Sequence, residues 1–276
     1  MTYIEAGLKK TDLERIIKSS LKIRDDFQFK IGRNRLSILR LDIAHTSMLY
    51  MSANLFKRKN TEAIQKQSIT IKGKDAFAIL KLLKLAKKNI ISVKVNTKDE
   101  HVTLSGDNIA MTLPCKIEEI KHEPDPYKIK TDNYLKFNKD FLPILKTLSA
   151  IGDIIFLGFD RNLFLFTIAD MIRYNALSYT KLRAENAASP FLCLIDSNLL
   201  RNVFSILRND TLTIASRNVE YPLTFRQKTD TMTIRYTLAP RIFRDTQKAS
   251  EFLEKTTKIG KIPPKWYKLI PQLIKD

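Results

Sequence analysis

Apolar positions along this chain switch between two periods, and the switching recurs. In KTDLERIIKSSLK (Lys10–Lys22), Leu13, Ile16, Ile17 and Leu21 fall on one face at helical spacing. The same spacing places Ile79, Leu80, Leu83 and Ala86 on one face of Lys74–Lys88. It does so for Phe141, Ile144, Leu145 and Leu148 of Lys139–Ile151, and for Leu199, Leu200, Val203 and Leu207 of Ser197–Arg208. Thr11 is the expected N-cap of the first helix, with Glu14 as its capping-box partner. Between the helices the period falls to two. FQFKI sets Phe27, Phe29 and Ile31 on one side, ISVKV sets Ile91, Val93 and Val95, and TMTIRYTL sets Met232, Ile234, Tyr236 and Leu238. HVTLS, NIAMTL, DIIFLGF, NLFLFTI, IRYNALSYT, DTLTIA and YPLTFRQ read as further strands. Leu39 and Leu41 continue one strand, and Met48–Met51 begin the next.

The helix starts recur at intervals of roughly sixty residues, which predicts a repeated unit of one helix followed by a meander. The fold class is therefore α+β, with helices on one face of antiparallel sheet. Residues 117–133, containing IEEIKHEPDPYKIKTD with Pro124 and Pro126, read as an extended connector. It separates two two-unit domains, 1–116 and 134–240. Residues 241–276 form an extension of different character: a polar helix ending near Gly260, then a segment holding the only tryptophan, Trp266.

Charge narrows the function. Lysine and arginine number 48 against 29 acidic residues, a formal charge of +19, and self-repulsion on that scale points to a polyanionic partner. Set on the helices, Arg15, Lys18 and Lys22 lie opposite the first apolar stripe, and Lys74, Lys81, Lys84 and Lys88 form a ridge on the second. Lys139 and Lys146 mark the third helix, and Arg201 and Arg208 the fourth. No side-chain cluster is set to read bases, and Phe77 is an apolar intruder among the lysines. The expected mode is sequence-independent contact with the backbone of double-stranded DNA.

Other chemistry is poorly represented. Seven glycines, with no GxxxxGK[ST] and no GxGxxG, argue against a nucleotide loop. His45, His101 and His122 are scattered and neither cysteine has a CxxC partner, so no metal or other cofactor is expected. Cys115 and Cys193 lie in apolar segments and read as two buried thiols, with one disulfide as the alternative. The stretch LRLDIAHTSMLYM holds Asp42, His45 and Ser47, the residue types of a hydrolase triad, but geometry and not residue type defines that site. Asp42, Asp75, Asp140 and Asp153 are dispersed, which argues against a nuclease or esterase. No run of about 18 apolar residues occurs. MTYIEAGLKK lacks the apolar core of a signal peptide, so a soluble intracellular protein with no membrane partner is expected.

Four segments, in order, resemble the proliferating cell nuclear antigen (PCNA) family of sliding clamps, over about residues 1–240. LRLDIAHTSMLYM resembles the family's first strand-and-loop motif, and KDAFAILKLLKLAKKNIISVKV its second helix and following strand. NKDFLPILKTLSAIGDIIFLGF resembles the start of its second domain. VEYPLTFRQKTDTMTIRYTLAPRI resembles its closing segment, which Tyr236, Leu238, Ala239, Pro240 and Ile242 fit. The resemblance implies two clamp domains joined by a connector, assembling as a trimer or hetero-trimer into a ring whose helices face DNA. It implies subunit contact through a strand holding His101, Val102, Thr103 and Leu104 and another holding Arg173, Tyr174, Asn175 and Leu177. It also implies a partner-peptide pocket of Leu41, His45, Ile120, Pro124, Tyr127, Pro222, Leu238, Ala239 and Pro240. There a DNA polymerase, clamp loader, nuclease or ligase docks by a short motif. The setting is the nucleus in a eukaryote, and the cytoplasm or nucleoid in a prokaryotic or viral system. The alternative is a clamp-fold DNA-binding or transcription accessory factor that never closes a ring. The +19 charge, Lys121, Lys128 and Lys130 in the connector, and the 241–276 extension depart from the family's pattern.

Overall fold

The chain passes from strand to helix with almost no loop. In the computed structural model β1 (Tyr3–Lys9) runs directly into α1 (Lys10–Leu21), β6 (Gln67–Lys72) into α2 (Gly73–Leu85), and β15 (Phe191–Asp196) into α4 (Ser197–Ile206). β11 (Asn133–Phe137) precedes α3 (Phe141–Ile151). The repeating unit is thus strand, helix, meander; the leading strands are additions to the sequence reading. This moves the first helix start. Thr11 lies inside the first turn, the N-cap is Lys9 in extended geometry, and no side chain caps the helix. Glu14 instead pairs with Lys18 at 2.5 Å, one turn on. The start of α1 is held by tertiary bonds: Lys10 N donates to Asn89 O (2.7 Å) and Lys10 Nζ to Ala86 O (2.8 Å). Only α4 keeps a side-chain cap among the capped helices described, Asp196 accepting from Asn198 N at 2.8 Å. Gly73 opens α2 where the Asp25 carbonyl comes so close that a Cβ would overlap it.

The structure describes residues 3–59, 67–107, 109–120, 133–137, 141–152, 154–160, 162–169, 176–183, 191–207, 212–216 and 222–240. The expected elements of 241–276, and Pro124, Tyr127, Lys139, Arg173, Tyr174, Asn175 and Arg208, lie outside them. The described residues divide into two compact units, 3–120 with 228–235, and 133–227 with 236–240.

In the first unit β5 (Phe56–Lys59), β1, β7 (Ile90–Asn96), β8 (His101–Gly106) and β9 (Ile109–Pro114) form an antiparallel sheet in that order. Register places Ile4 opposite Val95, Ala6 opposite Val93 and Leu8 opposite Ile91, all buried. That is the period-two face predicted from ISVKV. A second antiparallel run is β10 (Lys116–Glu119), β6, β2 (Asp26–Ile31), β3 (Arg35–Leu41) and β4 (Ser47–Asn54). Phe27 and Phe29 stack on its buried side with ring centroids 5.0 Å apart, and Ile31 is buried with them. α1 and α2 pack against each other and onto these strands, burying Leu13, Ile16, Ile17, Ile79, Leu82 and Leu83. β10 includes residue 117, where the sequence places the start of the connector.

The second unit repeats the plan. β14 (Ala176–Arg183), β13 (Asn162–Ala169), β12 (Ile154–Asp160) and β15 form one antiparallel sheet in that order. β17 (Leu223–Lys228), β16 (Leu212–Ser216) and β11 form a second run. α3 and α4 pack together, burying Leu145, Leu148, Leu200 and Val203. β18 (Met232–Leu238) is divided between the two units at residue 235, and its Met232, Ile234, Tyr236 and Leu238 are all buried, as their alternation predicts.

Both cysteines are free thiols. Cys193 is fully buried, which pushes its thiol up to about 12. Cys115 is only half-buried, because it follows the last residue of β9 rather than sitting in the core. Burial and the neighbouring Glu100 charge push that thiol up to about 11.

Candidate nucleic-acid interface and partner pocket

The helices turn their apolar stripes to the sheets, so the residues opposite those stripes face water. On α2 the exposed set is Lys74, Phe77, Lys81, Lys84 and Leu85, one arc of the helix surface. Lys74, Lys81 and Lys84 make no ion pair among the described residues. On α1 Lys18 is exposed and tied to Glu14, while Arg15 is half-buried. Lys22 is the C-cap, and partial burial and then the Lys18 charge hold its ammonium below its usual range. Lys88 lies beyond the end of α2 and is committed locally. Its Nζ is 3.4 Å from Asp107, whose carboxylate also accepts from Lys87 N and Lys88 N at 2.9 and 2.8 Å. It is therefore a loop clamp as well as a surface charge. On α3 and α4, Lys146 and Arg201 are exposed. They flank a cleft of about 570 Å³ shared with Ser149, Asn198, Phe204 and Ser205.

The Asp42–Ser47 segment does not assemble a triad. The Asp42 carboxylate accepts from Thr46 N (2.7 Å), Thr46 Oγ1 (2.6 Å) and Ser47 N (3.1 Å). Burial pushes this carboxyl up, but those hydrogen bonds outweigh it and hold it below its ordinary value. His45 is exposed at φ 56°, left-handed backbone, and its imidazole bonds to neither Asp42 nor Ser47. The turn leaves Ile43 83% exposed at its tip, an apolar contact that the hydropathy pattern did not single out.

Of the expected peptide-pocket residues, Leu41 and Ile120 line one cavity of about 680 Å³ in the first unit, along β2, β3 and the end of β10. His45 is not among its lining residues. The cavity is more polar than the resemblance implies, because Arg24, Asp26, Gln28 and Arg40 line it too. Arg24 Nε donates to Leu41 O at 2.8 Å, fixing the end of β3. Arg40 is buried, and its guanidinium donates to the Asp26 carboxylate, to Asp26 O (2.7 Å) and to Gln28 Oε1 (3.0 Å). Burial pulls the Arg40 pKa down while the Asp26 charge and hydrogen bond oppose the shift. Leu238 is fully buried, and Pro222, Ala239 and Pro240 are partly exposed.

His101, Val102, Thr103 and Leu104 lie in β8, which is bonded to β7 on one side and β9 on the other. An interior strand has no unpaired backbone to offer, and the outer strands of this sheet are β5 and β9, of which β9 (Ile109–Pro114) is bonded to β8. In the second unit, Leu177 does lie on an edge strand, β14. Each edge sits beside a helix with an exposed apolar residue: α2 with Leu85 next to β9, and α3 with Ile151 next to β14. Non-local pairing decides which strand is outermost, and hydropathy is blind to it.

No protein-family model matches the chain, and no curated protein does. Solved structures match. PCNA from A. fulgidus, solved with the C-terminal region of FEN-1 bound, superposes with a TM-score of 0.71 at 13% identity, over 88% of this chain and 100% of that one. PCNA from Thermococcus kodakaraensis gives 0.70 at 15% identity, over 86% and 100%. At that identity the likeness concerns architecture. With paired helices, antiparallel sheets and this superposition, the chain has the PCNA-like sliding-clamp fold.

Proposed function

We propose that this chain is one subunit of a DNA-encircling sliding clamp, a processivity factor that tethers replication or repair enzymes and has no catalytic activity of its own. The observation that carries the reading is the arc of Lys74, Lys81 and Lys84 on the water-facing side of α2, without ion pairs among the described residues, in a clamp fold. Phosphates are matched by such an arc without regard to sequence, and loose, ion-releasing contacts permit sliding. Ring topology then substitutes for affinity. In this reading residues 1–116 and 134–240 are the clamp domains, 117–133 the connector, and the ring is a trimer or hetero-trimer. It closes head to tail, with β9 of one subunit adding to β14 of the next and Leu85 and Ile151 covered at the joint. Edge β9 replaces β8 in that role. The bound FEN-1 segment of the A. fulgidus protein supports a peptide-docking face here too, with Leu41 and Ile120 on its floor and His45 and Ile43 at its rim.

The test compares retention on closed circular and linear duplex DNA, with sedimentation mass across a protein and salt series. A clamp is retained on circles, runs off free ends, and sediments as a multimer. Equal retention on both forms, with a monomeric mass throughout, overturns it in favour of an open clamp-fold DNA-binding or transcription accessory factor, the reading that the +19 charge favours.

A further inference from the structure

Phe77 is the residue that the phosphate-contact reading leaves unused. It is 57% exposed on α2 although its neighbours Ala76, Ile79 and Leu80 are buried. A single exposed apolar side chain is ordinary on a protein surface; its position is not. At 100° per residue Phe77 falls within the arc spanned by Lys84 and Lys74, with Lys81 alongside. Lys74 is three residues before it and Lys81 four after, so the two lysines stand about 10.5 Å apart along the axis with the ring between them. A pure sliding face gains nothing from an aromatic there, and a protein partner for this face would have to bury three ammonium groups that have no ion pair among the described residues. A polyanion with an apolar interior matches both features. The minor groove of B-form DNA is about 6 Å wide between two phosphate rims, and apolar side chains enter it as wedges between base steps.

Resting on the clamp reading, we infer that Phe77 enters the minor groove of duplex DNA while Lys74 and Lys81 hold phosphates on its opposite rims. The contact is independent of sequence but not of shape. It adds a component of affinity that salt does not remove, and it slows movement along the duplex.

The experiment titrates a fluorescein-labelled short duplex with the full chain over a salt series, comparing wild type, Phe77→Ala, Phe77→Trp and Lys81→Ala. Phe77→Ala is expected to weaken binding about tenfold at every salt concentration with an unchanged log–log slope. Phe77→Trp restores it. Lys81→Ala lowers the slope by about one. A duplex carrying a fluorescent adenine analogue brightens as a base step opens, with wild type but not with Phe77→Ala. Helix content should not fall, since Phe77 is exposed and alanine is the better helix former. Wild-type affinity in Phe77→Ala overturns this inference alone. So does a lowered sedimentation mass in Phe77→Ala with DNA binding intact, which assigns the ring to a protein contact. A wild-type protein that binds no short duplex also overturns this inference alone, since the clamp reading falls only with equal retention on circular and linear DNA.

Discussion

The two helix pairs pack by one rule and present different surfaces. Each buries a leucine- and isoleucine-rich stripe against its own sheets. Opposite that stripe, α1 and α2 with their C-terminal flanks carry Arg15, Lys18, Lys22, Lys74, Lys81 and Lys84, whereas described α3 and α4 carry Lys146 and Arg201 beside serines, Asn198 and Phe204. A repeated fold thus conserves the packing stripe, because the core demands it, and leaves the outer face free to differ. In the proposed reading the first unit supplies the main phosphate-holding surface among the described residues. The second offers a cleft lined by serines and Asn198 together with two cations, Lys146 and Arg201.

That contrast is open to direct attack. The largest effect is expected from Lys81→Glu with Lys84→Glu, which places two negative charges on the α2 arc. Duplex affinity at physiological salt should fall by roughly a hundredfold or more, and the salt slope by about two or more. Lys146→Glu with Arg201→Glu should cost clearly less in the same titration; equal losses would show that both pairs carry DNA alike. Next come the edges. Leu85→Lys and Ile151→Lys should each shift the sedimenting species to a monomer, and a mixture of the two should form a dimer, since each variant keeps one intact face. Unchanged mass in both would sink the proposed joint.

A smaller effect tests a second feature of the first unit, the buried charge of Arg40. Arg40 is 5% exposed, while the Asp26 side chain keeps 42% of its exposure. Asp26→Asn therefore leaves a buried guanidinium without its counter-charge and should cost about 3 kcal/mol. Arg40→Met leaves a carboxylate that water still reaches and should cost only about 1 kcal/mol. Denaturant unfolding followed at the first transition would show the order, and the reverse order would refute the argument.

The smallest effect concerns Asp42. Asp42→Ala should cost about 1 kcal/mol, discounted for the loop's exposure. Because the folded-state carboxyl lies below its unfolded value of about 3.9, the stabilisation is complete above that pH and is lost as pH falls through the folded value. Wild type and variant should converge in acid, and a gap that persists there would point to packing instead.

Legibility followed the range of the interactions. The buried faces of α1, α2, β2, β7 and β18 were readable because a helix or strand displays its side chains at a set period. β1 was not: YIEAGLK carries Glu5 and Gly7 and enters α1 with no turn signal. The cap failed for the same reason, since Lys9 is already strand when the helix begins. His45 and Asp42 were legible as loop residues, but the role of Asp42 as internal acceptor depends on a turn whose atoms return to it.

By itself the sequence determined the helices, most of the strands, the α+β class, the cationic faces and the order of the segments that resemble sliding clamps. All of these are encoded in local period and residue type. Only the tertiary structure decided that β8 is interior and β9 an edge, that Lys88 belongs to Asp107, and that Arg40 is buried beside Asp26. It also decided that Phe77 stands clear of the core among exposed lysines. Those outcomes depend on which distant segments meet, and hydrogen-bond pairing and burial across the chain settle that, not the spacing along it.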